Sequence, residues 1–167
     1  MKYAKIKYND IINGCGICVS LWTQGCPHRC TGCHNPDTWD FNAGLDDSIE
    51  NITNNVIDAI GKHGIKRNLS ILGGEPLCPP NLELVKSVVY KAKEVYPDIK
   101  IYIWSGYSYE LLINTKETKE IIKECTVLID GKFELAKRDI TLPLRGSTNQ
   151  RVIDVQASLK NNTVIEY

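Results

Sequence analysis

Hydrophobic and polar positions along the chain follow two periods, one typical of strands and one typical of helices. Residues 2–8 alternate in polarity, and residues 19–24 are β-branched and aromatic, so both segments are predicted to be strands. The N-cap residue types at 46–48 then precede a predicted helix. Its apolar residues recur three or four positions apart, at Ile49, Ile52, Val56 and Ile60.

The same alternation continues toward the C-terminus. Further strands are predicted at 68–72, 100–104, 126–129, 151–155 and 163–166. Between them, apolar stripes predict a helix that follows Pro79-Pro80 and stops before Pro97, and a second helix over 108–124 with a break near Asn114. Residues 25–36 and 131–150 show loop chemistry and little periodicity.

This order of elements predicts an α/β fold with parallel strands joined by helical crossovers. Without repeats or a linker, residues 1–167 are interpreted as one domain. The chain is too short for an eight-stranded barrel of about 250 residues, which leaves a partial, open barrel or a doubly wound sheet. In both folds ligands bind at the C-terminal ends of the strands. The loops after residues 24, 72, 104 and 129 are therefore expected to meet at one rim.

The composition of the chain argues against several classes of function. The 20 basic and 20 acidic residues balance to a formal net charge of zero, which argues against a nucleic-acid binder. No apolar run approaches the roughly 18 residues of a membrane span, so no membrane association is expected. The N-terminus has no apolar signal-peptide centre, which predicts a cytoplasmic location.

The cysteines carry the candidate chemistry. Seven are present, an odd number, and five of them lie between positions 15 and 33, which favours metal binding over a disulfide framework. Cys26, Cys30 and Cys33 place three thiolates within eight positions. Spacing alone leaves a structural zinc site and a four-iron, four-sulfur (4Fe-4S) cluster equally open. With three cysteines a cluster would keep one iron free for a substrate or cofactor.

The Cys-x3-Cys-x2-Cys spacing resembles radical S-adenosylmethionine (SAM) enzymes. The wider string from Trp22 to Trp39 is similar to the activating enzymes of glycyl-radical proteins, and residues 73–76 match their Gly-Gly-Glu-Pro motif. Residues 142–151 resemble the subgroup that activates anaerobic ribonucleoside-triphosphate reductase. The resemblance runs from about Asn13 to Asp154.

The resemblance implies a single radical SAM activase domain, folded as a partial, open β/α barrel. It implies that a 4Fe-4S cluster is bound by Cys26, Cys30 and Cys33. The residues that it implies for SAM binding are Gly32, Cys33, His34, Gly73, Gly74, Glu75, Ser105, Asp130 and Lys132. Further contacts to the partner or to SAM are expected from Arg145, Asn149 and Arg151.

The implied reaction is reductive cleavage of SAM to a 5′-deoxyadenosyl radical, which takes a hydrogen atom from a glycine of the partner. The implied partners are the large subunit of anaerobic ribonucleoside-triphosphate reductase and a reduced flavodoxin or ferredoxin-like electron donor. Three alternatives stay open: activation of another glycyl-radical enzyme of the pyruvate formate-lyase type, radical SAM chemistry on a small molecule, and a non-enzymatic zinc-ribbon-like binding module.

Two further groups of residues allow more than one interpretation. Cys15 and Cys18 have the spacing of a redox pair, a zinc half-site or ligands of a second cluster, but two small residues beside a strand are favoured. His28 and His34 lie among the cysteines and would complete a zinc site if one existed.

Overall fold

The computed structural model describes all residues, 1–167. The strands are β1 (Lys2–Asp10), β2 (Cys18–Thr23), β3 (Leu45–Asp46), β4 (Asn68–Gly73), β5 (Ile101–Ser105), β6 (Val127–Asp130) and β7 (Arg151–Asp154). The helices are α1 (Ile49–Gly61), α2 (Leu82–Val95), α3 (Tyr109–Asn114), α4 (Lys116–Ile122) and α5 (Val155–Asn161).

All strands belong to one seven-stranded sheet in the order β3-β1-β2-β4-β5-β6-β7. The four central strands, β2, β4, β5 and β6, are parallel to one another. β1 and β7 flank them and run antiparallel to their neighbours. The result is a mixed α/β fold. Its sheet is not closed, because the two edge strands, β3 and β7, do not pair with each other.

One face of the sheet forms the main hydrophobic core. Leu21, Ile71, Ile103 and Leu128 lie side by side across the four parallel strands, and each is fully buried. The apolar stripes of α1 and α2 cover this face, including Ile52, Val56, Val85 and Val88. Burial of each such side chain contributes roughly 1.5–3 kcal/mol, so this layer fixes the strand register.

The opposite face of the sheet is more polar. Ser20, Ser70 and Tyr102 form one row across it and are fully buried. Farther along β5, the indole of Trp104 donates to the carbonyl oxygen of Leu144 at 2.7 Å. The long segment after β6 therefore covers part of this face.

The structure confirms most of the predicted elements, including the helix break at Asn114. It corrects the C-terminal region, where residues 163–166 were expected to form a strand but contribute only an isolated bridge between Ile153 and Glu166. The prediction also missed β3 and α5, because β3 has only two residues and α5 begins at Val155, which was assigned to the strand predicted over 151–155. α5 begins where the Asp154 side chain accepts from the Ala157 amide at 2.9 Å. None of the helices has the length and apolar character needed to cross a bilayer.

Asp10 fixes the chain where β1 ends. Its carboxylate accepts from the amides of Ile12 and Asn13 at 3.0 and 3.2 Å, and from the hydroxyl of Ser20. Burial opposes its ionisation, but the hydrogen bonds from Ser20 and Asn13 outweigh burial and lower its pKa to about 2. The ionised carboxylate thus stabilises the turn that leads into β2.

We predict that this carboxylate makes folding stability depend on pH. Because the folded pKa of Asp10 lies below the unfolded value, its contribution is present above about pH 4 and is lost as pH falls toward 2. The difference between the folded and unfolded pKa values of Asp10 corresponds to about 2 kcal/mol of folding stability. Urea unfolding of the wild type and of Asp10→Asn should differ most near pH 6 and converge near pH 2. A difference in unfolding free energy that is constant with pH would contradict this.

Candidate active site

The strand register places the predicted site residues at one rim. Thr23 at the end of β2 pairs with Gly73 at the end of β4, and Ser105 at the end of β5 pairs with Asp130 at the end of β6. Since these strands are parallel, the loops that follow them leave on the same side of the sheet. The cysteine loop, the Gly-Gly-Glu-Pro loop and the loops after β5 and β6 therefore meet, as the sequence predicts.

The backbone joins the first two of these loops directly. The Gly74 amide donates to the Thr23 carbonyl oxygen at 2.9 Å, and the Glu75 amide donates to the Gly25 carbonyl oxygen at 2.8 Å. A Cβ atom on Gly74 would lie 2.3 Å from the Gly25 oxygen. Residue 74 must therefore be glycine, because any side chain would push the two loops apart.

Cys26, Cys30 and Cys33 are half-buried free thiols along the first loop. Burial raises the pKa of the Cys26 thiol, and hydrogen bonding from the backbone of His28 and Arg29 opposes the shift. Burial also raises the pKa of Cys30, which the backbone amide of Phe133 opposes. The Asn35 amide donates to the Cys33 sulfur at 3.4 Å. Backbone N–H groups thus favour the thiolate form of these cysteines, against the effect of burial.

The segment after β6 packs against this cysteine loop. A Cβ atom on Gly32 would lie 2.8 Å from a methyl carbon of Leu135, so the two segments are in close contact. The Lys132 ammonium group is close enough to Cys30 to favour its thiolate electrostatically. His34 is exposed, and its Nε2 is 3.3 Å from the side-chain amide nitrogen of Asn35. Gly32, His34 and Lys132 therefore surround the cysteines.

The Glu75 carboxylate lies at the centre of the rim and is only 1% exposed. Oε1 accepts from the Leu77 amide and from the Ser105 hydroxyl, both at 2.9 Å. Oε2 accepts from the Gly106 amide at 2.7 Å and from the Nε2 of His28 at 2.8 Å. The Ser105 hydroxyl is one of these four protein donors. The two predicted site residues Glu75 and Ser105 therefore bind each other.

Asp130 and Arg151, both predicted to be site residues, also bind each other. The Nε of Arg151 donates to Asp130 Oδ1 at 2.9 Å, and its Nη2 bonds Oδ2. The same guanidinium contacts both carboxylate oxygens of Glu110, at 3.0 and 2.9 Å. Asp130 Oδ2 additionally accepts from the Tyr109 amide at 2.7 Å. This ion-pair group anchors the start of α3 and the start of β7 at the rim.

Arg145 and Asn149 lie in the segment that connects the long loop to β7. The guanidinium of Arg145 donates to the Gln150 carbonyl oxygen at 2.6 Å, and the Asn149 amide donates to the Lys132 carbonyl oxygen at 2.8 Å. One polar atom on each side chain, the Nε of Arg145 and the Oδ1 of Asn149, is buried without a partner. These two residues therefore retain capacity for a ligand, unlike Arg151.

Three of the remaining cysteines lie away from this site, and the fourth, Cys78, lies beside it, where its thiol donates to the Glu75 carbonyl oxygen at 3.0 Å. Cys18 begins β2, so it lies at the end of that strand opposite to Cys26, and it is fully buried. Cys15 nearby is exposed. Cys78 and Cys125 are buried, which raises the pKa of each to about 12. Cys15, Cys18 and Cys125 therefore do not join the three cysteines of the rim, and the Cys78 thiol is engaged by Glu75.

Sequence reasoning missed the roles of two residues. His28 was weighed only as a zinc ligand, yet its ring is directed to Glu75 and packs edge-to-face on Tyr107, with centroids 4.5 Å apart. The amide of Asn81 donates to the carbonyl oxygens of Gln24 and Glu75, at 3.0 and 2.9 Å. A histidine inside the cysteine motif was the only available signal for the first contact, and nothing in the sequence pointed to the second.

Comparison with known proteins points to one family. A family model described as "4Fe-4S single cluster domain" matches residues 12–153, which contain all of the rim. The chain is 38% identical over 153 residues to a protein of Pasteurella multocida named anaerobic ribonucleoside-triphosphate reductase-activating protein. That alignment covers 90% of this chain and 95% of its relative. The chain belongs to this family of activating proteins.

Two other members extend the comparison. The protein of the same name from Enterobacteria phage T4 is 36% identical over 91% of this chain and 93% of its own length. The Escherichia coli K12 protein of that name is 33% identical over 91% of this chain and 97% of its own length. The alignment to activating proteins thus covers nearly the whole of each chain, not the cysteine motif alone.

We predict that the seven cysteines of this family member fall into two groups. Alanine at Cys26, Cys30 or Cys33 should abolish binding of the cluster, because each removes one thiolate ligand. Alanine at Cys15 or Cys18 should leave iron binding intact. Iron and sulfide are measured after anaerobic reconstitution of each variant. Full iron content in a variant of the first group, or lost iron in one of the second, would contradict the assignment.

Gly74→Ala should loosen the contact between the two loops. Its Cβ atom would meet backbone, which has little room to move, so we expect about 1–3 kcal/mol of destabilisation and weakened cluster retention. Gly64→Ala is the control. Its φ of +68° makes alanine cost about 1–2 kcal/mol, but no atom lies within 4 Å, so iron content should not change. Equal iron loss in both variants would show that general instability, not the loop contact, is responsible.

Proposed function

We propose that this protein activates anaerobic ribonucleoside-triphosphate reductase by generating a glycyl radical on it. The observation that carries the proposal is the placement of Cys26, Cys30 and Cys33 at the rim formed by four parallel strand ends, in a chain aligned end to end with activating proteins. The names of those relatives give the reductase as the protein on which they act.

The three thiols suit a cluster better than a single metal ion. No three histidine, cysteine or acidic side chains converge on one point, as the ligands of one zinc ion must. Ligands of a cubane spread around it, because each binds a different iron. The Asn35 N–H group directed at the Cys33 sulfur is a donor of the kind that stabilises and tunes such clusters, and backbone N–H groups also oppose the effect of burial on the pKa of Cys26 and Cys30. His28 is turned toward Glu75 and is not available as a fourth ligand.

The rim also offers groups that suit SAM. When bound, a 4Fe-4S cluster and SAM together supply a 5′-deoxyadenosyl radical, which removes a hydrogen atom from glycine. Gly73 and Gly74 let their loop approach the backbone of Thr23 and Gly25 closely, which holds the main chain of the loop at the rim, and Lys132 offers a positive charge for a carboxylate. We assign Glu75, Ser105 and Asp130 an indirect part in SAM binding, because their side chains are already hydrogen-bonded within the protein. Through these contacts the three residues shape the loops of the rim.

Residues 1–167 would act as one radical SAM domain, with the sheet as a partial barrel. Support for this architecture comes from the run of parallel strands with helices on one face and polar residues on the other. The exposed cations Arg29 and Lys132 beside the cysteines suit an acidic electron donor, such as a reduced flavodoxin or ferredoxin-like protein. Thiolate ligands need a reducing compartment, so we place the protein in the cytoplasm.

The proposal predicts a radical on the reductase. Reconstituted protein, SAM and a reductant are mixed anaerobically with the large subunit of the reductase, and its EPR spectrum is recorded while 5′-deoxyadenosine is assayed. We expect a glycyl-type doublet and 5′-deoxyadenosine in similar amounts. Cys33→Ala should give neither product, because it removes a cluster ligand.

Two results would contradict the proposal in different ways. 5′-Deoxyadenosine without a doublet would retain SAM cleavage but exclude the reductase as the substrate, and pyruvate formate-lyase would then be tested in its place. Stoichiometric zinc with no cluster after reconstitution would exclude the radical chemistry altogether.

A further inference from the structure

His28 lies in the middle of the cysteine loop but is turned into the protein. Its neighbours Pro27 and Arg29 are exposed, whereas the His28 side chain is only 7% exposed. A loop residue with a polar ring would ordinarily be solvated, so its burial requires specific partners. The geometry around the ring shows three of them.

The partners of His28 lie on two other loops of the rim. Its Nε2 donates to Glu75 Oε2 at 2.8 Å, and its ring packs edge-to-face on Tyr107 at 71°. Gly106 leaves the space that the ring occupies, since a Cβ atom there would lie 2.4 Å from the His28 Cδ2. The side chain thus connects the cysteine loop to the Gly-Gly-Glu-Pro loop and to the loop after β5.

The main chain at His28 links this anchor to the cysteines. His28 lies between Cys26 and Cys30, and hydrogen bonding from the backbone of His28 and Arg29 opposes the burial that raises the pKa of the Cys26 thiol. Arg29 has a φ of +46°, a left-handed conformation that costs a non-glycine residue about 1–2 kcal/mol. Such a conformation persists only where surrounding contacts hold it. The buried ring of the preceding residue provides these contacts.

We infer that His28 is a positioning residue, which fixes the cysteine loop against Glu75 and so holds the main chain between Cys26 and Cys30 in place before any cluster binds. This inference rests on the proposed function only for the identity of the cluster. The contacts themselves belong to the polypeptide alone. N–H···S bonds and the fixed position of a ligand tune the reduction potential of an iron–sulfur cluster, so we expect His28 to influence both loop order and cluster potential.

The first test uses the full chain without a cluster. His28→Asn shortens the side chain so that it no longer reaches Glu75, whereas His28→Gln keeps an N–H donor near the position of Nε2. Because both variants lose the ring, their difference isolates the hydrogen bond. His63→Asn is the matched control, since His63 is exposed at the end of α1 and its φ of +60° suits asparagine.

Hydrogen exchange of the peptide spanning 25–34 is compared with that of the α2 peptide. In His28→Asn we expect exchange in 25–34 to rise roughly tenfold or more, as for loss of a hydrogen bond to a charged group, with α2 unchanged. His28→Gln should stay within about threefold of the wild type, and His63→Asn should equal it. Unchanged exchange in His28→Asn, or an equal rise in both peptides, would overturn the inference.

The second test uses the reconstituted protein. The reduction potential of the cluster is measured in the same four proteins, and we expect a shift in His28→Asn that His28→Gln largely reverses. Identical potentials in all four would overturn the assigned influence on the cluster. If the wild type took up no cluster, the proposed function would fail while the exchange result still decided whether His28 positions the loop.

Discussion

The rim depends on one buried carboxylate. Removing Glu75 from water is costly unless its charge is fully hydrogen-bonded, and four donors from separate parts of the chain meet this need. One of these donors is the last residue of β5, one is the first residue of the loop after it, and one comes from the cysteine loop. The three loops must therefore come together for the carboxylate to be buried at all. The same contacts determine where the cysteines lie.

The ion-pair group at Asp130 has a similar role on the other side of the rim. A buried carboxylate again collects its donors from two places, the amide at the start of α3 and the guanidinium of Arg151. Breaking such a group leaves an uncompensated charge, so the arrangement is rigid. Acidic side chains that the family resemblance implies as ligand contacts thus serve first to hold loops in place. The groups left free for a ligand are mostly backbone atoms and Lys132.

The sequence was sufficient for the central strands, the main helices and the rim, because each has a local signal. Periodicity located β2, β4, β5 and β6, and parallel topology then required their loops to meet. Short elements gave no such signal, which is why α5 was missed. Side-chain pairing across the rim could not be predicted either. His28 and Glu75 are 47 positions apart in the chain, and only the folded register brings them within 2.8 Å.

Chemistry explains why the elements and ligands could be predicted from the sequence, whereas the side-chain pairing across the rim could not. Cysteine spacing reports the identity of ligands, since thiolates bind iron in any context, but it does not report what holds them in place. Loop order arises from buried polar contacts, whose partners are chosen by topology and have no sequence period. A site built on loops therefore needs an anchor in the rigid sheet, and here Glu75 supplies it directly after β4. The cysteine motif and the Gly-Gly-Glu-Pro motif are physically one unit, because the second orders the first.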